Sequence, residues 1–387
     1  MPNSLKLIRP DGTLYTYKPS HAAVTPAKRG PFTSRVALAA AHVVVDPLRT
    51  QEPLTQPVID WDATLAYREH LWSLGFGVAE AMDTAQRGMG LDWPLALELI
   101  RRTTMAAKGR NVILASGAGT DHLAHDAART IQDIITAYLH QCEAIEYAGG
   151  RIILMASRAL ATIAAGPEDY AAVYSAVLSE VREPVILHWL GPMFDPALAG
   201  YWGANDIVTA MNHCVAVIRE NRAKIDGIKI SLLDAELEIA MRRQLPTGIR
   251  MYTGDDFNYD RLILGDEHGH SDALLGIFDA IAPAASLALT ALDAGDVARY
   301  QQLLAPTVPL ARHIFAAPTK HYKTGVVFLA WLNGFQSHFR MVRGSESARS
   351  VAHLCKVFQL ADEAAVLVDP DRALARMCTF LATAGVV

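Results

Sequence analysis

The chain has 387 residues, 51% of them hydrophobic and 19% charged, with a formal net charge of −5. That length holds one large barrel with additions or two domains, the composition excludes a disordered chain, and the acidic balance leaves no basic footprint for nucleic acid. Four widely separated cysteines (Cys142, Cys214, Cys355 and Cys378) form no CxxC pair and read as reduced thiols of a cytoplasmic protein, while the absence of a charged-then-apolar leader or a long apolar run argues against export or a membrane span.

In chain order, residues 5–8 and 13–17 flank Arg9-Pro-Asp-Gly12, whose proline fixes φ and whose glycine turns the chain, so a β-hairpin comes first. Residues 18–32 carry Pro19, Pro26 and Pro31 and read as a connector. The apolar run 34–45 predicts a buried strand, and 61–74 a helix. From there strands over 75–82, 111–115, 151–155, 184–189, 225–231, 249–252 and 273–277 alternate with helices over 94–107, 124–148, 169–181, 204–221, 235–244 and 259–264. Eight short strands, apolar throughout because both faces are covered and separated by right-handed crossovers, predict an α/β fold of the (β/α)8 TIM-barrel class. A doubly wound sheet would need a Gly-rich phosphate turn after the first strand, and none is present. Beyond Ala282 the pattern is helical to the end. The expected organisation is a hairpin and connector over 1–33, a barrel over 34–283 and a helical C-terminal extension over 284–387.

One strand carries unusual chemistry. Ile225-Asp-Gly-Ile-Lys-Ile-Ser231 places Lys229 in an otherwise apolar run. Burial disfavours the ammonium form, lowers the pKa and frees the amine to attack a carbonyl. The structural reading is a lysine snorkelling out at a strand end. In a barrel the chemistry collects where strands end. Those ends hold Asp83 and Thr84, Ser116 with Asp121, Ser157, His188, Lys229 with Ser231 and Asp234, and Thr253 to Asp256. Asp121, Asp255 and Asp256 also read as helix caps and His188 as a core histidine. Glu80, inside its strand, reads as an ion partner of Lys229 or Arg250, or as a ligand. The acidic, His-rich stretch 266–272 precedes the last strand and reads as a solvated loop at the opposite mouth. His122 and His125 read as surface histidines of one helix.

Four stretches resemble the dihydrodipicolinate synthase/N-acetylneuraminate lyase family of class I aldolases. Gly227-Ile-Lys-Ile-Ser231 resembles its Schiff-base strand, which puts Lys229 on the imine-forming position. Thr253-Gly-Asp-Asp256 resembles its Ser-Gly-Asp-Asp turn, and residues 111–120 resemble its Val-Ile-Ala-Gly-Ala-Gly strand. Gly254 through Ile281-Ala-Pro283, then Ala294-Gly-Asp296, follows its last βα unit and first extra helix. The order holds from about Arg35 to Leu304, and the extra length marks a divergent, longer branch. The departures bear on substrate. The family's Gly-Thr-Thr-Gly-Glu loop corresponds to Asp83-Thr-Ala-Gln-Arg87, so Asp83 would repel a keto acid's carboxylate by ~4 kcal/mol at an effective dielectric of 20 unless Arg87 or another cation compensates. His188 stands where the family has a tyrosine after the fifth strand, and Met155-Ala-Ser-Arg158 lacks the tyrosine after the fourth.

The reading these residues give is a Schiff-base lyase or aldolase without a cofactor. Lys229 would be the nucleophile, His188 the general acid/base and Thr84 a proton relay. Asp83, Ser116, Ser231, Gly254, Asp255 and Leu275 would contact a small carbonyl substrate. Acidic groups without an obvious anion clamp suggest a keto sugar or sugar acid. Two alternatives stand beside it. One is an isomerase or lyase using Mg²⁺ or Mn²⁺ on Glu80, Asp83, His188 and Asp255. The other is a non-catalytic ligand-binding homologue. The resemblance also implies a homo-oligomer, a dimer or tetramer, with no nucleic-acid or membrane partner.

Overall fold

The computed structural model describes residues 4–20, 22–123 and 130–386. The hairpin is β1 (Leu5–Ile8) and β2 (Leu14–Tyr17), paired antiparallel. Eight parallel strands follow: β3 (Ala37–Ala40), β4 (Gly77–Glu80), β5 (Leu114–Ala118), β6 (Arg151–Met155), β7 (Val185–Leu190), β8 (Ile225–Ser231), β9 (Arg250–Thr253) and β10 (Asp272–Leu275). Each bonds to the next and β10 returns to β3, closing a TIM barrel. The interior is filled by small and medium side chains, among them Leu38, Ala40, Ala79, Ile153, Ile186 and Leu274. Alternate residues face the helical ring.

The ring comprises α1 (Trp61–Ser73), α2 (Trp93–Ala107), α3 (Ile131–Tyr147), α4 (Arg158–Ile163), α5 (Pro167–Glu180), α6 (Ile207–Glu220), α7 (Ala235–Arg242), α8 (Tyr259–Leu264) and α9 (Ile277–Asp293). Side-chain caps start most of them, for example Asp60 on α1, Thr130 on α3 and Asp234 on α7. The extension adds α10 (Val297–Leu304), α11 (Val308–Ile314), α12 (Tyr322–Leu332), α13 (Val351–Glu363) and α14 (Pro370–Thr383). α12 is apolar almost all round, and every residue of it is buried, so it forms the axis of the extension. The first and last parts of the chain meet: Tyr15 and Tyr17 of β2 donate to Gln359 and Asp362 of α13 at 2.9 and 2.7 Å.

The structure corrects several expected boundaries. Of 34–45 only Ala37–Ala40 pairs in the barrel. Beyond it the chain bonds to the start of α1, with Val44 N–H on Thr64 and Val45 paired to Ile59. The expected strand 111–115 is displaced to Leu114–Ala118, because pairing with β4 begins only at Leu114. α4 was not expected, and Ser157 caps it. Residues 283 and 284 lie inside α9, which bends at Ile281 but continues past Pro283. The first part of the expected helix 124–148, with His125, lies outside the described residues. Among the described residues, no helix is long and apolar enough to cross a membrane.

Glu80 is the clearest misreading. It faces the helical ring, not the barrel interior, and pairs with Arg68 of α1 at 2.8 and 2.9 Å, with Thr103 donating at 2.7 Å. Both members of the pair are wholly buried. Arg250, the other candidate partner, binds Asp272 instead. Removing one half of a buried ion pair strands the other charge. Glu80→Ala is therefore expected to cost about 3–5 kcal/mol in urea unfolding, while replacing both Arg68 and Glu80 by apolar residues restores most of the loss.

Candidate active site

β8 positions Lys229 with its side chain toward the barrel axis, since Ile228 and Ile230 on either side belong to the outer core. Gly254 makes room for it. A Cβ there would lie 2.6 Å from Lys229 Cε and 2.3 Å from Ser231 Oγ, so Gly254 serves the site by having no side chain. Lys229 is 7% exposed. Among the described residues no carboxylate lies within 4 Å of its amine. Burial lowers its pKa, while Asp256 and then Asp83 oppose the shift.

A small cavity at the C-terminal mouth of the barrel is lined by Lys229, Ser231, Asp83, Thr84, Asp256 and Tyr322, with Leu190 and Phe194 above them. Its free volume of about 10 Å³ is the space of a single water. Asp256 accepts a hydrogen bond from Ile277 N–H at 2.8 Å. Burial raises its pKa against the opposing pull of that bond and of Lys229. Tyr322 reaches in from the first turn of α12, stacked on Phe315 at 4.2 Å. Its hydroxyl lies 2.7 Å from Thr84 Oγ1. Burial, reinforced by Asp83, raises the phenol pKa well above its ordinary value, so it enters as a neutral hydroxyl.

The remaining sequence-predicted residues divide. Asp83, Thr84, Ser231 and Lys229 meet at the cavity, and Gly254 packs against the lysine. His188 is Lys229's register neighbour on β7, but the cavity wall does not include it. Its Nε2 contacts Ser231 Oγ at 3.4 Å, and its buried Nδ1 has no hydrogen-bond partner among the described residues. Burial, then the charge of Lys229, drives its pKa well below 6.5. It is therefore neutral, and not the proton carrier titrating near neutrality that the sequence suggested. Asp255 turns away from the cavity and holds the loop after β9, accepting from Phe257 N–H, Asn258 N–H and the Asn258 amide. Its neighbour Asp256 is the cavity acid. Ser116 lies beside Glu80 on the ring-facing side of the sheet, and Leu275 belongs to the outer core, so neither reaches the cavity. Glu80, Asp83, His188 and Asp255 are thus not drawn together. Among the described residues, no group of three or more His, Cys, Asp or Glu is arranged to hold a metal ion.

Arg87 does not offset Asp83. It is spent on Asp121 at 2.6 and 2.9 Å, on Gln141 at 2.8 Å and on the carbonyls of Gly117 and Ala81. Asp121 is accordingly an ion partner and not the cap of α3. His122 contacts the Gln141 amide at 2.8 Å. Asp266 pairs with Arg242 and Arg243, away from the site. Tyr322 is the functional candidate that sequence reasoning missed, since it had been read only as part of the tail. Asp256 was counted among the strand-end residues and in the Thr253-Gly-Asp-Asp256 turn, with a cap as its other reading, but Asp255 was the acid assigned to the site.

Away from the cavity wall, Glu238 of α7 accepts from Ser271 and Thr253 at 2.7 and 2.9 Å. Burial pushes its pKa up to about 8 despite those bonds. The fold thus prefers the neutral acid. Its stabilising contribution is complete below the ordinary glutamate range and is lost as pH rises through about 8. Between pH 5.5 and 7.5 the wild type is expected to lose stability relative to Glu238→Gln by about 1.4 kcal/mol per pH unit in urea titrations.

Comparison with known proteins agrees with this architecture. A family model described as "Protein of unknown function (DUF993)" matches residues 5–386. Among curated proteins none matches. Dihydrodipicolinate synthase from Aquifex aeolicus is 13% identical, with a TM-score of 0.62 over 86% of this chain and 98% of that one. The Bacillus clausii enzyme is 14% identical, with a TM-score of 0.62 over 85% and 97%. YagE, an Escherichia coli K12 prophage protein of the dihydrodipicolinic acid synthase family solved with pyruvate, is 14% identical, with a TM-score of 0.63 over 91% and 99%. At these identities the likeness is one of fold.

Proposed function

The chain belongs to the DUF993 family, and we propose that it is a Schiff-base lyase of the aldolase type acting on a hydroxylated carbonyl compound, a keto sugar or sugar acid. The observation that carries this reading is the state of Lys229: a buried amine on the barrel axis, in no ion pair among the described residues and with a pKa lowered by burial against the pull of Asp256 and Asp83, opening on a polar cavity. A lysine kept only for packing would snorkel or pair.

The amine attacks the substrate carbonyl, and the carbinolamine loses water to give an iminium. In C–C cleavage the electrons of the breaking bond flow into that iminium to give an enamine as the substrate hydroxyl loses its proton. In C–O elimination the electrons of a C–H bond make the enamine, which then expels the neighbouring oxygen as water after protonation. Protonation of the enamine where the reaction requires it, and hydrolysis, return the free amine. Asp256, adjacent in charge to Lys229, exchanges the proton that the amine gives up. Tyr322 and Thr84, hydroxyl to hydroxyl, pass the proton gained or lost by the substrate oxygen. Ser231 donates to the reacting oxygen, and Asp83 accepts from substrate hydroxyls. A cavity of about 10 Å³ does not hold a sugar. In this reading the side chains that close the cavity, Leu190 and Phe194 among them, move aside on binding.

The test is reduction with borohydride in the presence of a panel of 2-keto acids and keto sugars, followed by peptide mass spectrometry. The expected product is a secondary amine on Lys229. Adducts confined to other lysines, or none with any carbonyl, would sink the reading.

A further inference from the structure

The second residue of α12 is also a lysine. Lys323 is 4% exposed. Its amine donates to the Lys320 carbonyl at 3.2 Å and touches Met89 Sδ at 3.1 Å, and it lies 5.0 Å from the Tyr322 ring centroid. Among the described residues no carboxylate comes within 4 Å of it. A buried ammonium held by one carbonyl and a thioether is under-solvated and gains from an incoming anion. Burial lowers its pKa to about 8, with Asp83 the strongest opposing influence.

Its surroundings adjoin the cavity through Tyr322, which lines it. Arg158, from the first turn of α4, is half-exposed and paired with Asp195 of the loop after β7. Its Nη1 lies 2.8 Å from where a Cβ on Gly88 would be, so the glycine leaves space for the guanidinium. Both Arg158 and Lys320 act on Lys323 electrostatically. Asp83 and Tyr322 line the cavity, and the Lys323 amine lies 5.0 Å from the Tyr322 ring centroid, while Arg158 pairs with Asp195, the residue after Phe194 of the cavity wall. Asp83 acts electrostatically on both Lys229 and Lys323.

We propose that Lys323, with Arg158, forms an oxyanion subsite at the rim, so that the carbonyl compound bound to Lys229 carries a carboxylate or phosphate away from its carbonyl carbon. This rests on the Schiff-base reading for the inner half of the substrate. A hydroxyl on the carbon chain donates to Asp83, and the terminal anion completes the coordination of Lys323. The subsite also answers the repulsion by Asp83: the compensating cation comes from the C-terminal extension, not from Arg87.

Two matched pairs test it: dihydroxyacetone against dihydroxyacetone phosphate, and 2-pentanone against 4-oxopentanoate. The half-saturating concentration for borohydride trapping on Lys229 is measured for each. In the wild type the anionic member of one pair is expected to be favoured roughly tenfold, and the pair that shows it tells phosphate from carboxylate. Lys323→Met is expected to bring that ratio to about one. Arg158→Gln, at the exposed rim, is expected to cut it about threefold without a change inside α12. Equal trapping within both pairs, or a preference that survives Lys323→Met, overturns the subsite and leaves the imine chemistry standing. Failure to trap any carbonyl on Lys229 overturns the imine chemistry instead. The subsite is then decided by thermal shift with inorganic phosphate and with glycerate, where a rise in Tm present in the wild type and absent in Lys323→Met supports it and equal responses refute it.

Discussion

Lys229→Met is expected to abolish every borohydride-trappable adduct and to lower turnover by about 10³-fold or more. Methionine matches the lysine in length and fills the space that Gly254 leaves, so the barrel keeps its shape. It also removes a cation that is 7% exposed, which relieves a desolvation cost. The thermal midpoint should therefore hold or rise, separating lost chemistry from lost fold. Lys229→Arg sharpens the test. A guanidinium is always protonated and cannot attack a carbonyl, so under imine chemistry it is as inactive as methionine. If Lys229 only donated a proton or a positive charge to a polarised carbonyl, arginine would retain a measurable part of the rate.

The barrel was legible because it leaves local marks. Short apolar runs alternating with helical periods give the (β/α)8 pattern directly, and a lysine inside Ile225–Ser231 stands out against its apolar surroundings, which marks it as a candidate while snorkelling at a strand end remains the other reading. Asp83 and Thr84 followed from a strand end. What was not legible depends on direction or on distant partners. Ser116 and Leu275 were assigned to the mouth, yet a shift of one residue in a strand moves a side chain to the other face, and β5 proved to begin at Leu114. Asp255 and Asp256 are identical in sequence. Only the path of the turn sends one to cap Phe257 and Asn258 and the other to the cavity. Glu80 was denied its partner because Arg68 stands on the preceding helix.

The largest omission came from the extension. An all-round apolar segment such as 322–332 says that a helix is buried, but not beside what. Its first two residues carry a phenol and an ammonium to a site built 238 residues away in sequence, the separation of Thr84 and Tyr322. The tyrosines absent from the ends of β6 and β7 had made the proton relay look lost. In the proposed relay the hydroxyl comes from another direction, from Tyr322 of α12, 2.7 Å from Thr84 Oγ1.

Tyr322→Phe tests that relay. The ring, its stacking on Phe315 and its packing under Phe194 are kept. Only the hydroxyl 2.7 Å from Thr84 Oγ1 is lost. Turnover is expected to fall about 10²–10⁴-fold, while borohydride still traps substrate on Lys229, because the nucleophile is intact and what is missing is proton delivery. Thr84→Val should give a loss of the same order. Since the two hydroxyls act as a unit, the double variant should be scarcely worse than either single one. A purely structural Tyr322 would show the reverse: a lowered thermal midpoint, an additive double variant and undiminished turnover per folded molecule. The same comparison weighs His188. Held neutral by burial and by Lys229, it should tolerate His188→Gln with a far smaller loss of turnover than Tyr322→Phe. The opposite order would return the acid/base role to β7 and leave α12 as packing.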